Sequence, residues 1–235
     1  MSTKRGDIFD YGGTLDTGGC HWGRMIQHAY ERQNVPVSEA LFREAYVYAE
    51  RELARHPIIQ PDYTFEKTLS VKLRIEMEYI AERLENFKAE DYHQAVLTDL
   101  YQGVLKETSR SREVLLHLKK EYPLVLVSNF YGNISTVLAE MHLDGIFDNI
   151  IESAVVGVRK PDPKIFTLGV ESLGLLPNEV VVVGDSYDKD IVPAQKAGCQ
   201  TIWIKGEGWT DNEPDGAAAG RTIKVLSEIL EERNN

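Results

Sequence analysis

Two short acidic loops carry the clearest chemical signal in the chain. Phe9-Asp10-Tyr11-Gly12-Gly13-Thr14-Leu15-Asp16 follows a short apolar run, and Gly184-Asp185-Ser186-Tyr187-Asp188-Lys189-Asp190 follows the stronger run Val180 to Val183. A carboxylate such as Asp10 is a nucleophile able to attack phosphorus, but a dianionic phosphoryl group repels it. A divalent cation held by oxygen ligands removes that repulsion, and Asp10 with Asp185 could supply those ligands. Two further polar sets complete the signal: Ser128-Asn129 and Arg159-Lys160-Pro161. Ser128 and the backbone amides around Gly13 and Asn129 can donate to phosphoryl oxygens, while Thr14 could hold its loop or approach a substrate. An ammonium from Lys160 beside Asp10 would offset the crowded negative charge. Asp190 reads as a direct or indirect acidic partner of the metal, and Asp188 competes for that role.

These residues need elements that bring them together. Leu124 to Val127, Ile150 to Ile151, Val180 to Val183 and Thr201 to Ile204 are short and rich in β-branched residues, and each leads toward a polar turn and a helical pattern. Asp7 to Phe9 is a weaker fifth run of the same kind. Amphipathic segments lie between them, so the downstream half reads as repeated β-α units closing right-handed into a parallel sheet. Ligands of such a sheet gather at the carboxyl ends of its strands, where all four polar sets fall.

From about Gly18 to Gly103 the pattern is helical only. Trp22, Met25, Ile26, Ala29 and Tyr30, then Leu69, Leu73, Met77, Ile80 and Leu84, follow helical spacing with no strand between, and Pro57 and Pro61 divide the stretch. It separates the first strand from the other β-α units. The expected organisation is therefore an α/β core over residues 1–17 and 104–235, with an all-helical module inserted at 18–103.

Composition sets the outer bounds. The 37 acidic against 26 basic side chains give a net charge of -11, which argues against a broad nucleic-acid footprint and requires local cations or a metal for any anionic substrate. Cys20 and Cys199 are far apart and suggest no disulfide framework. Met1 to Gly6 is too short and polar for a signal peptide, and no apolar run approaches a membrane span. The expectation is a cytoplasmic monomer or weak dimer, and Asn133-Ile134-Ser135 is an accidental glycosylation pattern.

The ordered set of four motifs resembles the haloacid dehalogenase-like hydrolase superfamily. Gly-Val-Arg-Lys-Pro-Asp-Pro at 157–163 and Val-Gly-Asp-Ser at 183–186 fall in the right order on the right elements, and the resemblance covers nearly the whole chain. It implies a Rossmann-like parallel sheet flanked by helices, with the helical module as a cap that controls access. It also implies a magnesium ion bound by Asp10, Asp185 and the backbone carbonyl of Gly12, and a small phosphorylated substrate attacked by Asp10.

The first motif departs from that pattern. Phosphatases of the superfamily usually carry a second Asp two residues after the nucleophile, where it protonates the leaving oxygen and later deprotonates water; here Gly12 stands there. General acid–base assistance is worth about 10²–10⁴-fold, so the loss matters. Three readings follow. A hydrolase could take its acid from Asp16, His21 or the helical module, or use a leaving group that needs little protonation. A phosphonatase-like carbon–phosphorus hydrolase could use Lys67 or Lys72 to form a Schiff base. A non-catalytic phosphate-binding or regulatory protein could keep the fold without turnover. Trp22, Tyr46, Tyr48 and Tyr63 are helical residues that could touch substrate, although their spacing suits packing.

Overall fold

The structure is a computed structural model describing residues 4–210 and 220–234. Met1 to Thr3, the start of the segment read as too short for a signal peptide, lie outside it. Six strands form one parallel sheet: β1 (Gly6–Phe9), β2 (Leu124–Ser128), β3 (Asn149–Glu152), β4 (Val180–Gly184), β5 (Gln200–Ile204) and β6 (Arg221–Ile223). Their order is β3-β2-β1-β4-β5-β6. Five were legible as apolar runs; β6 was not, because three residues with only Ile223 buried carry no periodic signal.

β1 lies centrally between β2 and β4, and the order of the strands reverses on its two sides. Phe9 is paired with Val183, and the amide of Asp10 extends the pairing by donating to the Val183 carbonyl at 3.0 Å. The loops carrying Asp10 and Asp185 therefore leave the sheet side by side, at the kind of switch point where α/β sheets bind ligands. Alternate side chains point to opposite faces. Ile8, Val125 and Val182 pack with Ile165, Phe166 and Val170 on one side, whereas Phe9, Leu126 and Val183 join the larger apolar cluster on the other.

Between β1 and β2 come four helices: α1 (Trp22–Arg32), α2 (Glu39–Arg55), α3 (Phe65–Ala81) and α4 (Ala89–Leu118). Ser38 and Thr64 cap α2 and α3 by accepting from Leu41 N–H and Lys67 N–H, and the segment with Pro57 and Pro61 separates those helices. α4 is continuous through Gly103, so one helix runs from the other three helices to the sheet. Its last turns bury Val114, Leu115 and Leu118 in the same cluster as Leu124 and Leu126. Among the described residues, no helix is long and apolar enough to cross a membrane.

Candidate active site

Asp10 follows β1 directly and is buried. Lys160 reaches it from the loop after β3: Nζ lies 2.5 Å from Asp10 Oδ1 and 2.6 Å from Asp190 Oδ1. Asn129 positions that lysine. Its side-chain amide donates to the Lys160 carbonyl at 3.0 Å and its oxygen accepts from Lys160 N–H at 2.9 Å. The Asn129 side chain thus clamps backbone, while its position at the end of β2 keeps the residue on the cavity wall beside Ser128.

Asp190 is set by a wide π turn at Tyr187–Ile191, in which Ser186 N–H donates to Asp190 Oδ2 at 3.0 Å. Gly184 makes this possible, since a Cβ there would come within 2.4 Å of Asp190 Cβ. Asp190 is buried whereas Asp188 is exposed, and it is Asp190 that the structure brings together with the other two: carboxylate oxygens of Asp10, Asp185 and Asp190 lie within 4.8 Å of one another. Gly13 is similarly required. It has φ +97°, and a Cβ would strike the Asp185 carboxylate at 2.3–2.5 Å.

Of the two roles open to Thr14, holding its loop or approaching a substrate, the structure places it in the structural one. It is fully buried and its hydroxyl donates to Asp185 Oδ1 at 3.0 Å, so it orients a carboxylate behind the cavity wall. Burial raises Asp10 to about 6, with the Lys160 ammonium opposing and Asp190 adding to the rise. Burial, then Asp190 and Asp10, hold Asp185 well above the usual carboxylate range. For Lys160, burial pulls down but Asp10 and Asp190 outweigh it, leaving the ammonium above its ordinary value. Three carboxylates face one ammonium. Such an oxygen-rich, excess-negative cluster could hold a hard metal ion, and its donor set fits one.

The space vacated at position 12 is open. Outside its chain neighbours, a Cβ on Gly12 would find only the indole Nε1 of Trp22 within 4 Å, at 3.9 Å. That Nε1–H donates to Asp16 Oδ2 at 3.1 Å, and Gly13 N–H donates to Asp16 Oδ1 at 2.7 Å. Asp16 is buried yet borders the cavity, and burial raises it to about 7 despite both hydrogen bonds. His21 is different. Its Nδ1 accepts from Gly23 N–H at 3.0 Å as the cap of α1, and burial, with Lys189 and Lys72 nearby, lowers it to about 4. Its ring lines the cavity, with Nδ1 committed to the cap and burial favouring the neutral form, so the structure supports it less well than Asp16 as a replacement acid.

The site opens into a cavity of about 870 Å³ whose far wall belongs to the helices between β1 and β2. Trp22 and Tyr46 line it; Tyr48, packed at a tilt against Tyr79, and Tyr63 do not. Lys67 is exposed, but Lys72 is buried at the cavity in direct contact with Glu50. Sequence reasoning missed Glu50, Tyr131 and Trp209, which also line it. One signal was present. Lys72 and Glu76 interrupt the apolar stripe Leu69, Leu73, Met77 and Ile80, and charges on a buried stripe call for a partner or a ligand.

Comparison with known proteins identifies the family. A family model for haloacid dehalogenase-like hydrolases matches residues 8–198, and the chain belongs to that family. A glyceraldehyde 3-phosphate phosphatase of Pyrococcus furiosus is 33% identical over 56% of this chain and 57% of its own length. A phosphoglycolate phosphatase of Aliivibrio fischeri is 27% identical over 88% of both chains. The chain spans about half the length, or less, of the first glyceraldehyde 3-phosphate phosphatases it matches. In fold it is similar to a crystal structure of a dehalogenase with an intermediate complex, with TM-score 0.66, 21% identity and coverage of 99% and 98% of the two chains.

Proposed function

We propose that this protein is a magnesium-dependent phosphatase acting on a small phosphorylated metabolite through an aspartyl-phosphate on Asp10. The observation that carries the reading is the convergence of Asp10, Asp185 and Asp190 around the Lys160 ammonium at the switch point of the sheet. Relatives named as phosphatases support it. Asp10, Asp185 and the Gly12 carbonyl would hold the magnesium, with Asp190 beside them; the ion supplies charge neutralisation for the phosphoryl group. Lys160 holds Asp10 ionised and in place. Ser128 and the amide of Asn129 bind phosphoryl oxygens, while the Gly13 N–H, expected to join them, is committed to Asp16; helices α1–α3 with the start of α4 act as the cap.

Asp16 takes the proton role that Gly12 vacates. An Asp10 oxygen bonds to phosphorus as the bond to the leaving oxygen breaks, and that oxygen receives the Asp16 proton. Asp16 then accepts a proton from water, whose oxygen attacks phosphorus and releases Asp10 and phosphate. The support is positional: Trp22 Nε1 links the open space at Gly12 to Asp16, and a carboxyl at about 7 can both give and take a proton near neutrality. Schiff-base chemistry fits less well. Burial depresses Lys72, but Glu50 outweighs it and keeps the ammonium above its ordinary value, whereas an amine nucleophile needs the reverse.

The test uses two leaving groups with magnesium present. Asp10→Asn should abolish phosphoenzyme formation from an aryl phosphate and all turnover. Asp16→Asn should lower kcat on alkyl phosphates by about 10²–10⁴-fold; with aryl phosphates, which leave without strong acid help, it should spare phosphoenzyme formation and slow only phosphoenzyme hydrolysis. In the wild type, alkyl-phosphate turnover should fall as pH rises through about 7, because the protonated form of Asp16 is lost. Absence of an Asp10-dependent phosphoenzyme would leave a non-catalytic phosphate-binding protein as the better account.

A further inference from the structure

The cavity holds a second lysine–carboxylate contact, which the chemistry at Asp10 leaves unused. Lys72 on α3 touches Glu50 on α2, and both side chains border the cavity. The ammonium also lies 4.4 Å from the ring centroid of Tyr46. Glu50 leaves 41% of its side chain accessible, while Lys72 leaves 10%. Behind them Glu76 is fully buried and accepts a long 3.5 Å hydrogen bond from the Tyr30 hydroxyl. A charged pair placed on the wall of a ligand cavity, instead of on the outer surface, is expensive to desolvate for packing alone.

Its chemistry selects among ligands. The ammonium has three N–H donors, and Glu50 occupies one; the carboxylate has a second oxygen free to accept. The contact presents a donor and an acceptor side by side whose own charges cancel, and the next charges to act on them, Glu76 on Lys72 and Lys189 on Glu50, are one of each sign. A ligand carboxylate would gain from Lys72 but face Glu50, and a ligand ammonium would meet the reverse conflict. Two adjacent hydroxyls meet neither: one oxygen accepts from Lys72 while the other O–H donates to Glu50. Tyr46, Tyr131 and Trp22 supply aromatic walls for the C–H faces of such a ligand.

We propose that Lys72 and Glu50 form a vicinal-diol subsite, so that the preferred substrates are phosphorylated sugars or polyols with a neutral, hydroxylated leaving group. This rests on the phosphatase reading above, since it places the phosphoryl group at Asp10 and the diol on the helical wall. The subsite acts in binding and specificity. It takes no proton and forms no bond.

The experiment measures equilibrium binding to Asp10→Asn protein with magnesium, and turnover by the wild type, for ribose phosphate, a glycerol phosphate with adjacent free hydroxyls, propyl phosphate and phosphoglycolate. Sites built to hydrogen-bond hydroxyls reject analogues lacking them strongly, so the diols should be preferred over propyl phosphate by about 100-fold or more. Lys72→Met and Glu50→Gln should each collapse that ratio to within about 5-fold, each losing one of the two paired contacts. Lys67→Met, a change of an exposed lysine on the same helix, should leave the ratio intact. Glu50→Gln is nearly isosteric and keeps the test available if Lys72→Met does not fold. Equal binding of propyl phosphate, preference for phosphoglycolate, or a ratio that survives both substitutions overturns the subsite. Failure of aryl-phosphate turnover instead strikes the phosphatase reading, and the binding ratios still decide the diol.

Discussion

Two buried lysines face the same cavity and behave differently. Lys160 is enclosed by Asp10 and Asp190, with Asp185 close by, so its surroundings carry more negative charge than it can neutralise. Lys72 is matched one-to-one by Glu50, whose side chain opens to the cavity. The first arrangement is suited to a cation and a phosphoryl group brought together; the second is suited to a neutral polar group. In the proposed mechanism one region holds the charges that react, and in the proposed subsite the other holds a balanced pair that discriminates. The contrast is one of stoichiometry and access, since both sites set a lysine against carboxylates.

The largest expected effect comes from Lys160→Met. It leaves Asp10 and Asp190 without their shared ammonium, and removing one partner of a buried ionic cluster costs about 3–5 kcal/mol of stability. Turnover of every substrate should fall, and denaturant melts should show the loss; Lys72→Met should instead change the ranking of substrates. A Lys160→Met protein with near-normal turnover would erase the distinction between the two sites.

Gly12→Asp sharpens the comparison from the opposite direction. Gly12 lies outside the left-handed region and its Cβ position is open, so an Asp should fit and point toward Trp22. Supplying the usual acid should raise kcat on alkyl phosphates by about 10–100-fold, within the range of acid–base assistance, and make Asp16→Asn harmless in that background. An unchanged rate would show that proton transfer does not limit this enzyme.

The smallest effect concerns how the two regions are held together. Trp209, on the loop after β5, packs at a tilt against Tyr46, ring centroids 4.9 Å apart, and lies under the Arg43 guanidinium at 4.3 Å, while its carbonyl accepts from Arg43 Nη1 at 3.1 Å. Gly23 leaves room for it, since a Cβ there would strike the indole at 2.2 Å. Trp209→Ala should raise KM several-fold with little change in kcat, because aromatic contacts of this kind are worth about 0.5–1.5 kcal/mol. Steady-state kinetics on an aryl phosphate checks it.

Much of the reactive region was legible in the sequence because its parts are local. A β-branched run ending in Asp10 or Asp185, glycines that let those loops approach each other, and Lys160 in its own loop are all short-range patterns, and parallel strands bring them to one edge. Asp190 over Asp188 was not legible, because two acids in one turn differ only in which way the π turn faces them. Nor was Thr14, whose hydroxyl chooses between substrate and Asp185 only once β1 and β4 are paired.

The helical wall was least legible. Its spacing determined that helices form, and the sequence by itself determined the order of the first five strands and the helices between them, the candidate nucleophile Asp10 and the glycine at position 12. Only the tertiary structure decided that Lys72 meets Glu50 from another helix, that His21 caps α1, and that Asp16 stands behind Trp22 beside the open space. Periodicity reports which face of a helix is buried, but whether a buried charge finds a partner, a cavity or a proton depends on elements far away in the chain.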